Sequence, residues 1–179
     1  MPSLILLNGP PAVGKSTLAR MYAADHPLAL DLDIDRLRAQ LGGWREDPGA
    51  AGLAARRIAL AAARAHLTAG LDVVIPQLVA RVEFIEQLAA AALDSRAVFR
   101  EVMLLAERDD LLARYRERVR QESAAGLEPI TATDLTDAQL TEFYQRLLPV
   151  LDARPGSILI RARTGQVAAT YGELAARLQ

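Results

Sequence analysis

Residues 4 to 17, LILLNGPPAVGKST, constrain the fold of this chain more than any other stretch. Four apolar residues, Leu4 to Leu7, predict a buried parallel strand. Gly9 is followed, after four residues, by Gly14, Lys15 and Ser16. This spacing is the Walker A pattern, which needs a strand before the loop and a helix after it. Because both neighbours are predicted, we expect a phosphate-binding P-loop rather than an ordinary strand-turn-helix corner.

The residue types of this loop suit nucleotide phosphates. Glycine allows backbone amides to turn inward around phosphate oxygens at a helix N-terminus. Lys15 is the only lysine in the chain, and we expect it to reach the β- and γ-phosphates. The Ser16 hydroxyl is a predicted ligand of Mg²⁺, so the expected cofactors are ATP and Mg²⁺. The predicted cradle consists of Gly9, Pro10, Pro11, Ala12, Val13, Gly14, Lys15, Ser16 and Thr17.

Composition limits the other classes of function. The 179 residues carry a formal net charge of −1, which gives no electrostatic argument for a nucleic-acid or membrane partner. There is no cysteine, and His26 and His66 stand far apart, so neither a thiolate metal site nor a histidine pair is expected. No apolar run approaches the roughly 20 residues of a membrane span. We expect a cytoplasmic protein and leave its oligomeric state open.

Strands and helices alternate along the chain, which predicts a parallel sheet with helices on both faces. The expected fold is α/β, a three-layer P-loop NTPase fold with a five-stranded parallel sheet and a helical lid at about 108–134. We expect one domain, residues 1–179. Strands are predicted at 4–7, 28–32, 71–75, 98–105 and 157–160, and helices at 17–25, 50–69, 81–93, 107–122, 135–151 and 171–178, with a short helix after residue 33.

Three carboxylates, Asp31, Asp33 and Asp35, follow the second predicted strand. Strand alternation would turn them to one face, at the carboxyl edge where ligands bind in such sheets. Asp33 has two open interpretations, a cap of the next helix or a ligand of Mg²⁺ through water. Strand three ends in Pro76 and Gln77 without an acidic residue, so Mg²⁺ would depend on Ser16, phosphates and these aspartates. Gln77 is a candidate contact to acceptor or water.

Residues 33 to 38, DIDRLR, placed after a Walker A strand, resemble the Asp-x-Asp-x-x-Arg element of small P-loop kinases in the AAA and zeta-toxin-like group. Zeta toxins, polynucleotide 5′-kinases and chloramphenicol phosphotransferases are the most similar members. The resemblance implies that Asp35 acts on an acceptor hydroxyl and that Arg38 contacts an acceptor phosphate. It implies ATP-dependent phosphoryl transfer without identifying the acceptor, which we expect to be a small molecule such as a metabolite, an antibiotic or a nucleoside-type compound.

Five arginines lie within 13 residues after strand four: Arg108, Arg114, Arg116, Arg118 and Arg120. One interpretation is a solvated helix face on which they pair with nearby acids. The other follows from the resemblance, because related kinases carry their lid here and its arginines close on the transferring phosphoryl group. Arg114 and Arg118 share a face at i,i+4 spacing and are the predicted catalytic pair, with Arg114 also binding the cofactor and Arg120 in reserve.

Other residues are open between structural and functional roles. Arg56, Arg57 and Arg64 lie on the long third helix, on an exposed face or toward an acceptor cleft. Trp44 either anchors its loop or stacks on an aromatic acceptor. Residues 161–165 occupy the position at which related kinases bracket adenine.

Two other functions stay open. A nucleotide-dependent switch or an ATPase without an acceptor would use the same P-loop. A nucleic-acid 5′-hydroxyl kinase is disfavoured, because the sequence lacks the basic channel that a polynucleotide requires.

Overall fold

The structure is a computed structural model and describes residues 1–124 and 135–179. Within these residues, five strands alternate with seven helices, and every predicted element is present. The strands are β1 Ser3–Asn8, β2 Leu30–Asp31, β3 Val73–Pro76, β4 Val98–Leu105 and β5 Ile158–Arg161. The helices are α1 Lys15–Asp25, α2 Ile34–Ala39, α3 Pro48–Thr68, α4 Val82–Asp94, α5 Arg108–Ala124, α6 Asp137–Ala153 and α7 Val167–Leu178.

The five strands form one parallel sheet in the order β2-β3-β1-β4-β5. β1 lies at the centre, where Leu6 is paired with Ile75 of β3 on one side and with Glu101 of β4 on the other. Since all strands run the same way, their carboxyl ends meet at one edge. The loop after β1 and the turn after β2 therefore open onto the same edge of the sheet.

Alternation along β1 divides the core into two layers. Leu4 and Leu6 lie in a cluster with buried residues of α3, α4 and α6, including Ala59, Leu88 and Leu147. The residues between them, Ile5 and Leu7, pack with Leu18 of α1, Leu111 of α5 and Leu174 of α7. Both faces of the sheet are thus covered by helices, which confirms the three-layer α/β fold. None of the helices in the described residues has the length and apolar character needed to cross a membrane.

The second strand differs most from its prediction. It spans only Leu30 and Asp31, because Leu28 has φ +63° in a turn and Asp33 already caps α2. The expectation that Asp31, Asp33 and Asp35 share a face by strand alternation is therefore wrong. β3 also lies between β1 and β2, so the DIDRLR turn approaches the P-loop across the end of β3.

Candidate active site

A buried asparagine joins the end of β1 to the segment after β3. Asn8 is fully buried, and its Nδ2 donates to the Val79 carbonyl at 2.9 Å. Its Oδ1 accepts from the amides of Val79 at 2.9 Å and Gly9 at 2.8 Å. Asn8 is not among the residues predicted from the sequence, although a polar side chain at the end of an apolar strand indicates a buried hydrogen-bonding role. Asn8 fixes the start of the P-loop against residues 77–79.

The loop backbone depends on glycine at Gly9 for a steric reason. Its φ is +149°, and a Cβ there would lie 2.5 Å from the Leu104 carbonyl oxygen of β4. Gly14, with φ +109°, is the N-cap of α1, and a Cβ would meet no atom within 4 Å. Ala12 takes φ +61°, a conformation uncommon outside glycine. The loop therefore stores backbone strain at the site where the Walker A pattern predicts phosphate binding.

Lys15 lies at the centre of the loop. Its Nζ donates to the carbonyls of Gly9 at 2.9 Å and Pro10 at 2.8 Å. Two of the three ammonium donors are thus used, and one is left for a phosphate oxygen. Burial and, to a smaller extent, repulsion from Arg118 lower the pKa of Lys15 to about 8, although Asp35 and Asp33 oppose the shift. Because Lys15 and Arg118 repel each other, an anion bound near both would be stabilised.

Backbone amides complete the cradle. The first two amides of α1, from Lys15 and Ser16, have no intrahelical partner, whereas the Thr17 N–H donates to the carbonyl of Gly14, the N-cap. Pro10 and Pro11 have no N–H to donate to a phosphate, and their rings fix the φ angles of the loop. The Pro10 carbonyl accepts a hydrogen bond from Lys15. Within the described residues, no group of three or more His, Cys, Asp or Glu side chains is close enough to hold a metal ion. A cation there would depend on Ser16, phosphate oxygens and water, which is the usual donor set of Mg²⁺.

Asp35 interacts electrostatically with Lys15 and with charged groups of both signs. Its Oδ1 is 3.4 Å from Nη2 of Arg38, and the Gln77 side chain also favours the charged form of the carboxylate. Burial raises the pKa of Asp35, and Asp33 adds to the rise, while Arg38, Lys15 and Gln77 oppose it. A carboxylate with a raised pKa at the carboxyl edge of the sheet has the properties of a general base.

Asp33 is used as a helix cap. Its Oδ1 accepts from the amides of Asp35 at 3.0 Å and Arg36 at 3.3 Å, and its Oδ2 lies 3.8 Å from Arg36 Nε. The capping interpretation is therefore observed. Its role toward Mg²⁺ stays a prediction. Asp31, at the end of β2, has a raised pKa because of burial and the neighbouring Asp33.

The arginines of α5 divide into separate groups. Arg118 acts on Lys15, and its guanidinium lies 5.1 Å from the ring centroid of Tyr115. Arg114 points elsewhere, with Nη2 3.0 Å from Thr164 Oγ1 and 3.3 Å from the Ala162 carbonyl. The two predicted catalytic arginines therefore have different partners: Arg118 is within electrostatic reach of Lys15, whereas Arg114 is bonded to the loop after β5.

The remaining arginines of α5 pair outside the P-loop. Arg116 pairs with Asp137 at 2.5 Å, and Arg120 pairs with Glu117, as expected for a solvated face. Arg108 Nε donates to Thr141 Oγ1 of α6. Of the predicted lid at 108–134, residues 125–134 lie outside the described residues.

A second set of basic residues surrounds a cleft of about 850 Å³ between α3 and the start of α4. Arg56 and Arg57 line it, whereas Arg64 lies 3.7 Å from Asp94 on an exposed surface. Trp44 is half-buried, with the Arg38 and Arg45 guanidinium groups 5.3 and 4.2 Å from its ring centroid. The cleft is lined by Leu53, Arg56, Arg57, Leu60, Ala80, Arg81, Val82, Glu83, Phe84 and Gln87.

The sheet order, the strained glycine loop and the lysine at its centre define a P-loop nucleotide-binding protein with a kinase-like fold. The profile of the AAA_33 family, described as an AAA domain, matches residues 4–149. The chain therefore belongs to this family, which confirms the resemblance to small P-loop kinases. None of the curated proteins matches the sequence at a significant level.

Solved structures share the fold at low identity. Kti12 from Chaetomium thermophilum, solved with ADP-AlF3, is 18% identical with a TM-score of 0.67, and the match covers 98% of this chain and 96% of Kti12. A gluconokinase from Sinorhizobium meliloti 1021 is 18% identical with a TM-score of 0.57, covering 99% and 95%. A chain of the Pnkp1/Rnl/Hen1 RNA repair complex is 17% identical with a TM-score of 0.67 over 85% of this chain, which spans 46% of that chain's length. At these identities, the similarity concerns the fold.

Proposed function

We propose that this protein is an ATP-dependent kinase that transfers the γ-phosphate to a hydroxyl of a small-molecule acceptor. The observation that carries the proposal is the Asp35 carboxylate, which interacts electrostatically with the P-loop lysine and is paired with Arg38. A P-loop that only binds or hydrolyses nucleotide does not need a half-buried carboxylate at this position. The kinase named among the solved structures supports the same class of reaction.

The proposed roles follow the contacts. Lys15 and the loop amides bind the phosphates of ATP, with Arg114 on the side of the β5 loop and Arg118 near the transferring group. Ser16 and Asp33 would hold Mg²⁺, which neutralises phosphate charge when bound. Asp35 accepts the proton of the acceptor hydroxyl. The oxygen of that hydroxyl at the same time forms a bond to the γ-phosphorus. The bond from that phosphorus to the β,γ-bridging oxygen breaks, and ADP leaves with the electron pair.

Positioning and electrostatics supply most of the rate in such a reaction. Arg38, bound to Asp35, is suited to orient the acceptor as well as the base. The net charge of −1 favours a small acceptor over a polynucleotide. We also propose a cytoplasmic location, where ATP and Mg²⁺ are abundant.

The test is the variant Asp35→Asn, with Asp94→Asn, an exposed carboxylate that pairs with Arg64, as the matched control. A panel of metabolites, antibiotics and nucleosides is incubated with ATP and Mg²⁺, and phosphorylated products are detected by mass spectrometry. We expect Asp35→Asn to lower kcat by roughly 10²- to 10⁴-fold while the affinity for ATP changes little. Wild-type turnover in Asp35→Asn would refute the role of base, and ADP formation indifferent to every acceptor would favour the switch.

A further inference from the structure

The cleft beside α3 carries an excess of positive charge. Three arginines line it, Arg56 and Arg57 from α3 and Arg81 just before α4, against one carboxylate, Glu83. Over residues 1–124 and 135–179, none of these three arginines lies within salt-bridge distance of a carboxylate. The arginine next along α3, Arg64, does have such a partner in Asp94. Grouped guanidinium groups without a carboxylate partner are suited to bind an anion from outside the chain.

Arg56 is the most constrained of the three. Its guanidinium lies 5.2 Å from the ring centroid of Phe84, a buried residue of α4. Burial and repulsion from Arg81 lower the pKa of Arg56, and attraction to Asp35 opposes this shift. The Arg56 guanidinium is thus partly shielded from water, lies over the ring of Phe84 and is close enough to Arg81 to be repelled by it. An anion placed between Arg56 and Arg81 would relieve their repulsion.

The cleft is connected to the proposed reaction centre. Val79 is bonded through its amide and carbonyl to Asn8 at the start of the P-loop, and the next two residues, Ala80 and Arg81, line the cleft. Asp35 is within electrostatic reach of both Arg56 in the cleft and Lys15 in the P-loop. The lining adds apolar surface from Leu53, Leu60 and Val82. A volume of about 850 Å³ suits a molecule of metabolite size. One such molecule can therefore place an anionic group at the arginines and a hydroxyl at Asp35.

We infer that the acceptor is a hydroxyl compound that carries an anionic group, and that Arg56 and Arg81 bind this group. The hydroxyl part of this inference rests on the proposed kinase function, whereas the anion site stands on the cleft alone. Arg57 adds to the positive potential at the rim, where it is exposed. A carboxylate and a phosphate share the chemistry that these guanidinium groups recognise.

The first experiment measures anion binding without catalysis. The protein is saturated with ADP and Mg²⁺ to occupy the P-loop, and inorganic phosphate and citrate are titrated separately by calorimetry. We expect binding to weaken roughly 10- to 100-fold in Arg56→Met with Arg81→Met. Methionine keeps an unbranched apolar stem against Phe84, so the wall should stay packed. Arg64→Met, on the same helix but outside the cleft, should bind as wild type does.

The second experiment compares acceptors that differ by one anionic group, with ATP and product detection by mass spectrometry. The pairs are a sugar and its 6-phosphate, a sugar alcohol and its aldonate, and a nucleoside and its 5′-monophosphate. We expect the anionic member to be preferred about tenfold or more in kcat/KM, and the arginine variants to raise its KM without changing the KM for ATP. The phosphate and carboxylate pairs distinguish the two kinds of anion.

The outcomes separate the anion site from the kinase function. Equal anion binding by wild type and the double methionine variant would overturn the inference, as would equal turnover of neutral and anionic acceptors. Anion binding that depends on Arg56 and Arg81, with no phosphorylated product from any acceptor, would retain the site and refute the kinase. Circular dichroism of each variant confirms that the loss of binding is not a loss of folding.

Discussion

Replacing Gly9 by alanine tests whether the P-loop is locked to β4 by close backbone contact. The new Cβ would lie 2.5 Å from the Leu104 carbonyl oxygen, so loop and strand must separate by about half an ångström to reach a tolerable contact. Such overpacking costs about 1–3 kcal/mol, and the positive φ adds about 1–2 kcal/mol for a residue with a side chain. We therefore expect a loss of about 2–5 kcal/mol in the free energy of unfolding.

For a chain of this size, that loss corresponds to a fall in Tm of roughly 5–15 °C. The assay is thermal and urea unfolding followed by circular dichroism. Gly70→Ala is the matched control, because Gly70 has φ +83° after α3 but a Cβ there would meet nothing within 4 Å. It should lose only the conformational part, about 1–2 kcal/mol. Equal losses in Gly9→Ala and Gly70→Ala would refute the close-contact argument.

Three further predictions concern buried polar groups. Asn8→Ala removes three hydrogen bonds and should lower the free energy of unfolding in urea by about 2–4 kcal/mol, and a loss below about 1 kcal/mol would contradict this. Arg154→Ala leaves the buried Glu101 carboxylate without its 2.8 Å partner and should cost about 2–3 kcal/mol, part of which Glu101→Gln should restore; an unchanged Tm would contradict this. Because Lys15 has a pKa of about 8, roughly three-quarters of it is neutral at pH 8.5, and ADP binding there should take up about three-quarters of a proton as phosphates favour the ammonium. At pH 6.5 Lys15 is already charged and contributes almost none. Calorimetry in two buffers of different ionisation enthalpy measures this uptake, and Lys15→Arg should abolish it.

Local sequence determined the parts of the site that follow one another in the chain. The strand, the loop and α1 were predictable because Gly9, Gly14 and Lys15 act within a few residues of one another. Helix ends were predictable to within a few residues, since caps and breakers such as Pro48 and Gly70 act locally. The order of elements followed from periodicity, and the parallel sheet followed from that order.

Contacts between distant segments could not be predicted in the same way. The length of β2 depends on the turn at Leu28 and on the edge position of the strand, and neither is visible in a period-two pattern. The hydrogen bonds of Arg114 depend on Thr164 in the loop after β5, 50 residues away along the chain. Asn8 gained its role from Val79, 71 residues away. Sequence spacing predicts that two side chains share a helix face, but it does not predict which residues of the fold contact that face.

The single lysine has a practical consequence for experiments on this protein. Reagents that modify side-chain amines have one target in the whole chain, and it lies inside the P-loop. A lysine-specific protease likewise has one cleavage site, which is folded against the Gly9 and Pro10 carbonyls. Labelling and cleavage therefore report directly on whether the P-loop is open or filled. Surface side chains carry their positive charge mainly as arginine and react with neither probe, so only the α-amine of Met1 adds to the labelling background.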